Sequence, residues 1–257
     1  MRFHIITLFP TAFDSYLNES IIARAIALRK IKVFFYNPRD YSEDKWTKSA
    51  RGGSSDQQRW FRRRIDQKPY SGGPGMVIQA LPVIKAVEKT MASIKHLVSK
   101  KKGKKGKSKI KIIWLSPNGK QFDTAYAKKT AQKFTDIIII SGRYEGIDAR
   151  VKKIFKTDDI SIGPFVLTGG ELPAMILVDC ISRQVEGVLG NFNSLEESRI
   201  SSHDVYTRPE VFSYLNRFDK NGRPIRKADL GKKKKYRVPK VLLSGDHKKI
   251  ESWLRSH

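Results

Sequence analysis

Three apolar segments, each followed by a glycine-containing loop, constrain the fold of this chain more than any other feature. They are "KIKIIWL" before "SPNG", "DIIIIS" before "GRYEG" and "DISIGPFVL" before "TGG". Apolar runs of this length predict buried strands. In parallel sheets ligands bind beyond the carboxyl ends of the strands, and glycine allows close approach of the backbone. We therefore expect three loops that converge on one ligand, although each loop taken singly is also consistent with a tight turn.

The N-terminal part of the chain predicts a βαβ unit. A strand pattern, "FHIITLF", is followed by residues 10–31, in which Phe13, Leu17 and Ile21 recur at helical spacing. The segment "KVFFYNPRDY" then predicts a second strand that ends at Asn-Pro, and residues 77–98 predict another helix. This alternation predicts an α/β fold with a parallel sheet.

The helical and strand patterns fade after Gly190. We predict a main domain over residues 1–190, a linker over residues 191–205 and a small, mostly helical C-terminal domain over residues 206–257. Within the last domain, a short helix is expected after "YTRPEVF" and a terminal helix in "HKKIESWLRSH".

The charge balance indicates a polyanionic partner. The chain has 51 Lys and Arg against 25 Asp and Glu, a formal net charge of +26. Such an excess attracts polyanions by releasing their counterions, and nucleic acid is the first candidate.

Two kinds of basic segment stand out. Residues 51–64 interleave arginines with aromatic side chains, which suits phosphate contact and base stacking. The members are Arg51, Arg59, Arg62, Arg63 and Arg64 with Trp60 and Phe61. The lysine runs at 100–107 and 232–235 add long-range attraction, and the first of them can equally be a solubilising loop.

Several classes of site are excluded or not indicated by the motifs. The string "GKKGKS" lacks the first glycine of a Walker A loop because Lys101 stands there, and no G-x-G-x-x-G follows a predicted strand. There is no G-x-S-x-G elbow, and the five histidines lack ligand spacing, so no metal site is predicted. The single cysteine, Cys180, excludes an internal disulfide and predicts a core residue. With no apolar run long enough to span a bilayer, a cytoplasmic location without membrane contact is expected.

Taken together, nine motifs occur in the order seen in one family. They are "ITLFP", "NPRDY", "KPYSGGPGM", "WLSPNG", "SGRYEGIDAR", "SIGPFVLTGGELPAM", "GVLGN", "YTRPEVF" and "VLLSGDH". In these motifs the chain resembles the bacterial tRNA (guanine-N1)-methyltransferases of the SPOUT, or trefoil-knot, class. The resemblance implies a deep trefoil knot in the parallel sheet and transfer of the methyl group of S-adenosylmethionine to N1 of the guanosine at tRNA position 37, next to the anticodon. It also implies a homodimer that binds the tRNA anticodon arm, with active sites at the subunit interface.

The resemblance assigns the cofactor contacts to the three loops. The first contributes Trp114, Leu115, Ser116 and Pro117; the second contributes Gly142, Tyr144 and Glu145; and the third contributes Ile162, Gly163, Pro164, Phe165, Val166, Leu167, Gly169, Gly170 and Pro173. Trp114 replaces the Tyr that is common in the family, and Pro164 replaces an Asp, which removes a carboxylate and an N–H.

The methyl transfer needs a cation near the purine O6 and a base for the N1 proton. Arg183 matches the catalytic arginine of the family. Alignment on the linker serine makes Glu197 the base, Asp204 is the competing candidate, and Glu196 is a weaker third. All three can instead be solvated linker carboxylates.

The resemblance also predicts the substrate surface. The segment "DQKPYSGGPGM" contributes Asp66, Tyr70, Gly72 and Gly73, although Ser71 replaces the first usual glycine, and Arg208 is expected to contact tRNA together with Arg62, Arg63 and Arg64. A requirement for Mg²⁺ is left open. Two rival functions also stay open: another SPOUT RNA methyltransferase acting on the ribose 2'-oxygen, and a non-catalytic RNA-binding knot protein.

Overall fold

The computed structural model describes residues 1–43, 64–99, 108–190, 204–219, 223–227 and 231–256. The chain divides into two units, Met1–Phe192 and Asn193–His257. Arg62, Arg63, Glu196 and Glu197 lie outside the described residues, as do most of the basic segment at 51–64 and the lysine run at 100–107.

The N-terminal unit alternates strands and helices. Its strands are β1 (Arg2–Ile6), β2 (Lys32–Tyr36), β3 (Asp66–Gln67), β4 (Val77–Ile78), β5 (Ile110–Gln121), β6 (Asp136–Ile140) and β7 (Asp158–Ser161). Its α-helices are α1 (Asp14–Leu17), α2 (Ser20–Ala27), α3 (Ala80–Ser99), α4 (Thr124–Lys133), α5 (Arg150–Ile154) and α6 (Glu171–Arg183), with 3₁₀ turns at Pro10–Phe13 and Pro38–Tyr41.

Five of these strands form one sheet in the order β2-β1-β6-β5-β7. Every neighbouring pair in it is parallel. The predicted α/β class with a central parallel sheet is therefore confirmed. Strands β3 and β4 form a separate antiparallel pair.

The sheet separates two apolar layers, because successive residues of a strand point to opposite faces. Ile137 and Ile139 of β6 pack with Leu177 and Ile181 of α6. Ile138 and Ile140 pack on the other face, where Val83, Val87 and Ile94 of α3 cover them. Helices on both faces explain why β6 is buried along its whole length.

Two predicted helices have different bounds in the structure. The pattern over 10–31 gives a 3₁₀ turn and two short helices, and the backbone at Ser20 turns into the left-handed region with a φ of 51°. The pattern over 77–98 begins with strand residues, and its helix starts only at Ala80.

The third predicted strand, "DISIGPFVL", ends early, at Ser161. The Ser161 hydroxyl donates to the carbonyl of Gly163 at 2.9 Å and accepts from its N–H at 3.3 Å. This local turn satisfies backbone groups that a continuing strand would have paired. Residues 162–170 therefore form a loop that leads into α6.

Strand β5 contacts the same residue of β7 twice. Leu115 and Lys120 both pair with Ile160, so residues 116–119 loop out between them. A Cβ atom on Gly119 would lie 2.5 Å from the backbone nitrogen of Ile160. Only glycine fits this close approach of two backbones.

A polar cluster joins the amino ends of β1 and β6. Asp136 is fully buried and accepts from Arg2 Nε at 2.5 Å, Ser108 Oγ at 2.8 Å and Thr135 Oγ1 at 2.7 Å, while His4 Nε2 lies 3.2 Å away. Burial alone would raise the pKa of Asp136, but the hydrogen bonds from His4, Arg2 and their neighbours outweigh it and hold that pKa well below its usual range.

The C-terminal unit contains an antiparallel pair, β8 (Val211–Tyr214) and β9 (Lys234–Arg237), and two helices, α7 (Lys240–Leu243) and α8 (His247–Ser256). The predicted terminal helix is confirmed, whereas the short helix predicted after "YTRPEVF" is wrong, because Ser213 and Tyr214 belong to β8 and residues 215–219 form no helix. Stacking of the Phe212 and Tyr236 rings, 5.2 Å apart, accompanies the pairing of the strands. Among the described residues of both units, no helix combines the length and apolarity needed to cross a bilayer.

Candidate functional site

The three glycine-containing loops enclose a cavity of about 250 Å³ at the carboxyl edge of the sheet. The predicted cofactor residues on its wall are Leu115, Ser116, Pro117, Gly142, Tyr144, Glu145, Ile162, Phe165, Val166, Leu167, Gly169, Gly170 and Pro173. The wall also contains residues that the sequence analysis did not select, namely Arg143, Gly146, Ile160, Ser161 and Thr168. The expected convergence of the three loops is thus present.

Three of the predicted cofactor residues are not on the cavity wall. Gly163 and Pro164 lie in the turn just after β7, beside the wall. Trp114 is 6% exposed and belongs to the core on the α3 face of the sheet, with Lys152 Nζ 5.2 Å from its ring centre. Because neighbouring strand residues point to opposite faces, Leu115 contacts the cavity and the Trp114 side chain does not.

The glycines of the third loop allow it to pack on the second loop. A Cβ on Gly169 would lie 2.4 Å from Arg143 Nε, and a Cβ on Gly170 would lie 2.6 Å from Ser141 Oγ. The Gly170 N–H donates to the Gly142 carbonyl at 2.9 Å. These glycines therefore allow the third loop to pack closely against the second loop. The two loops together form part of the cavity wall.

An ion pair between a partly buried arginine and a buried carboxylate holds the same two loops together. Arg143 Nε donates to Glu171 Oε2 at 2.8 Å, and Thr7 Oγ1 donates to Glu171 Oε1 at 2.8 Å. Glu171 is only 3% exposed, and the Arg143 guanidinium stacks over the Phe9 ring at 4.7 Å. This cluster fixes the end of β1, the loop after β6 and the first turn of α6 relative to one another.

Tyr144 has an unusual backbone conformation for a residue with a side chain. Its φ is 59°, in the left-handed region, and half of its surface is exposed beside the cavity. Such conformations cost energy and are concentrated at binding sites. Its neighbour Glu145 is the carboxylate of the wall, and Ile162, Leu167 and Pro173 supply apolar surface.

A larger cleft of about 1080 Å³ adjoins the cavity and shares Glu145 with it. Its wall includes Lys68, Tyr70 and Ser71 from the predicted substrate loop and Asp148 and Arg150 from the loop before α5. Of the predicted substrate residues, Tyr70 lines this cleft and is fully exposed. Asp66, Gly72 and Gly73 do not line it; Asp66 instead pairs with Ile78 in the small β3–β4 sheet, and the two glycines have φ angles of 75° and 90°.

Arg183, one of the predicted catalytic residues, lies away from the cavity of its own chain. Arg183 is the last residue of α6, roughly 18 Å along the helix axis from Glu171 at its start. One turn earlier, Asp179 accepts a hydrogen bond from Tyr16, and this bond raises the pKa of Tyr16 to about 12. Asp204 and Arg208 are exposed residues of the C-terminal unit, and Arg64, also exposed, precedes β3.

The described residues contain no group of three or more His, Cys, Asp or Glu side chains placed to hold a metal ion. Arg143 is the wall residue that the sequence analysis missed most clearly. Its position inside "GRYEG", beside two predicted contacts, was the available signal, but nothing in the sequence showed that Glu171 would be its partner.

The chain is similar to proteins of one family over its whole length. Residues 1–257 match the family described as tRNA (Guanine-1)-methyltransferase TrmD. A tRNA (guanine-N(1)-)-methyltransferase of Clostridioides difficile is 38% identical, and the match covers 99% of this chain and 91% of the relative. A protein of the same description from Pseudoalteromonas atlantica is 35% identical, with 98% and 77% covered. The crystal structure of a tRNA (m1G37) methyltransferase from Aquifex aeolicus superposes with a TM-score of 0.63 at 29% identity, covering 100% of this chain and 88% of that one.

Proposed function

The chain belongs to the tRNA (guanine-1)-methyltransferase family, and from this premise we propose that it methylates N1 of the guanosine at position 37 of tRNA with S-adenosylmethionine as methyl donor. The observation that carries the proposal is the cavity formed by the three glycine-containing loops. Most of the residues that the family motifs assign to the cofactor lie on its wall.

The cavity wall fits the chemistry of S-adenosylmethionine, which combines an aromatic purine with cationic sulfonium and ammonium groups and supplies a transferable methyl group when bound. Ile162, Leu167 and Pro173 provide apolar surface for a purine. Glu145 provides a carboxylate for a cation, on the side that faces the larger cleft. The Arg143–Glu171 pair holds the wall in place, so little ordering of the loops is required on binding.

The larger cleft is the proposed guanosine site. It shares Glu145 with the cofactor cavity, and Tyr70 offers an exposed ring for stacking. This arrangement would bring the target base beside the methyl donor. Arg208 and the arginines at 62–64 are proposed to hold the tRNA backbone.

Arg183 is proposed to stabilise the negative charge that develops on the purine O6, and Glu197 to accept the N1 proton, with Asp204 as the alternative base. Arg183 cannot reach the cavity of its own chain because the length of α6 separates them. We therefore propose a homodimer in which one subunit contributes Arg183 to the site of the other. Exposed Leu172 and Ile176, one turn apart on α6, offer an apolar surface for such contact.

A trefoil knot is also proposed. The double contact of β5 with Ile160 and the close approach at Gly119 support a chain crossing at this point. The requirement for Mg²⁺ stays open, and a cytoplasmic location, where tRNA substrates are found, stays a prediction.

The direct test is to incubate the purified chain with labelled S-adenosylmethionine and unmodified tRNA bearing G at positions 36 and 37, and to identify the methylated nucleoside. We expect 1-methylguanosine at position 37, and none with a tRNA bearing A at that position. A ribose 2'-O-methyl product would favour another SPOUT activity, and binding of tRNA without any product would favour a non-catalytic protein.

The shared site has its own test. A mixture of Arg183→Ala with a variant defective only in cofactor binding should recover activity that neither variant has alone. No recovery in mixed dimers would contradict a site built from two chains.

A further inference from the structure

A third cleft, of about 480 Å³, runs along the edge strand β7, apart from the proposed guanosine site and meeting the cofactor cavity at Ile160. We name it the lysine cleft. Its wall is formed by Lys111, Lys120, Tyr126, Lys129, Thr130, Lys133, Phe134, Asp158, Asp159 and Ile160. These residues come from β5, β7, α4 and the residue that follows α4, so the cleft exists only in the folded chain.

The cleft carries an excess of positive charge. Its two carboxylates are each neutralised, since Asp158 pairs with Lys111 and Asp159 pairs with Lys152 at 2.5 Å. Lys120, Lys129 and Lys133 form no ion pair within the described part of the chain. Three positive charges on one concave surface thus remain available to an anionic ligand.

The three lysines are arranged along the cleft. Lys129 and Lys133 lie one turn apart on the same face of α4, about 6 Å apart along the helix axis. Lys120 is contributed by β5. The Tyr126 hydroxyl donates to Asp158 at 3.2 Å, and burial together with this carboxylate raises the pKa of Tyr126. The Asp158 carboxylate therefore has two partners, Lys111 and Tyr126, which reduce its repulsion of a bound anion.

The lysine cleft adjoins the cofactor cavity through one residue. Ile160 lies on the wall of both, and Lys120 pairs with it in the sheet. A polyanion bound along the cleft would thus lie next to the catalytic region rather than on a remote face.

We propose that the lysine cleft binds phosphates of the RNA backbone at a point outside the target guanosine, as an additional anchoring surface for the substrate. The choice of RNA rests on the proposed function and on the net charge of +26. The competing explanation is that these lysines only protect the exposed edge of β7 from pairing with other strands, a common use of edge lysines.

The test compares two full-length triple variants with the same change in charge. The cleft variant is Lys120→Gln, Lys129→Gln, Lys133→Gln. The control is Lys32→Gln, Lys89→Gln, Lys95→Gln, which removes exposed lysines from β2, at the opposite edge of the sheet, and from α3. Binding of an unmodified tRNA transcript is measured by fluorescence anisotropy at several salt concentrations. Circular dichroism and thermal unfolding check that each variant is folded.

We expect the cleft variant to bind tRNA on the order of tenfold more weakly at low salt, and the log–log salt slope to fall by about 2 to 3, as the loss of three phosphate contacts requires. The control should stay close to wild type. In a methylation assay KM for tRNA should rise while kcat is unchanged, and cofactor affinity measured in the absence of tRNA should stay the same. Lys→Arg at the three cleft positions keeps the charge and should restore binding.

Equal effects of the two triple variants would overturn the proposal, because bulk charge would then explain them. An unchanged salt slope in the cleft variant would also overturn it in favour of edge protection. These results are distinguishable from failure of the proposed function. If no nucleoside is methylated but the slope still falls only in the cleft variant, the cleft binds RNA in a protein of another activity.

Discussion

The Nε atom of Arg143 donates to Oε2 of Glu171 at 2.8 Å, and this pair joins the loop after β6 to the first turn of α6. Arg143 lies on the wall of the proposed cofactor cavity, and the carboxylate of Glu171 also accepts from Thr7. The pair thus acts as a support for the wall, and its removal should affect binding as well as stability.

Glu171→Gln should reduce stability by about 2 kcal/mol, because a partly buried guanidinium loses its charged partner. We expect cofactor affinity to fall about tenfold, since the second and third loops are no longer fixed. Thermal unfolding and isothermal titration with S-adenosylmethionine measure the two effects. Glu186→Gln, at an exposed position, is the control. If the Glu171→Gln variant is destabilised but binds the cofactor with normal affinity, the ion pair supports the fold and not the binding site.

Gly170→Ala should disturb the contact between the loops. The added Cβ would lie 2.6 Å from Ser141 Oγ and 2.9 Å from its Cα, and displacement of that backbone costs about 1 to 3 kcal/mol. Gly190→Ala is the matched control, because its nearest atom is at an ordinary contact distance of 3.9 Å. Cofactor titration should show weaker binding for Gly170→Ala only. Equal affinities would mean that the loop can move without affecting the site.

Asp136→Asn should destabilise the fold by about 3 kcal/mol at neutral pH, because Arg2 then lacks a charged partner. The folded-state pKa of Asp136 lies below its unfolded value. The ionised carboxylate therefore stabilises the fold above about pH 4, and this stabilisation is lost as the pH falls towards the folded-state pKa. Urea unfolding from pH 7 to pH 3 should show that the difference in free energy of unfolding between wild type and variant becomes smaller below about pH 4. A difference in free energy of unfolding that does not change with pH would indicate an effect on packing instead.

Arg183→Ala should lower kcat by about 10² to 10³, the usual cost of removing a donor to a developing oxyanion, while cofactor affinity stays the same. Single-turnover methylation measures this loss. Arg183→Lys keeps the charge and should retain part of the rate. A rise in KM for tRNA at an unchanged kcat would assign Arg183 to binding instead.

The proton acceptor can be assigned by two parallel variants. Glu197→Gln should abolish turnover and leave cofactor and tRNA binding nearly intact, since only the protonation step is lost. Asp204→Asn should remain active. The reverse outcome would make Asp204 the base, and two active variants would remove both from the mechanism.

The strands and the loops that follow them could be predicted because buried apolar runs and glycines are local signals. Ser161 shows where the prediction was limited: whether its hydroxyl closes a turn on Gly163 depends on the folded geometry. Likewise, Trp114 and Leu115 are equally apolar neighbours, and only the position of β5 in the sheet decides which one contacts the cavity. The lysine cleft was not predicted because its lysines belong to separate segments that look like ordinary solvated surface.

Ile160 is a shared wall between two proposed sites, held by β5 on both sides of the residues that loop out at 116–119. A ligand that shifts this residue from one side must alter the free energy of binding on the other. Thermodynamic linkage then requires a reciprocal effect. The factor by which RNA bound in the lysine cleft changes the affinity for the cofactor must equal the factor by which the cofactor changes the affinity for RNA. The double contact of two strands would in this way make substrate capture and methyl-donor loading mutually dependent.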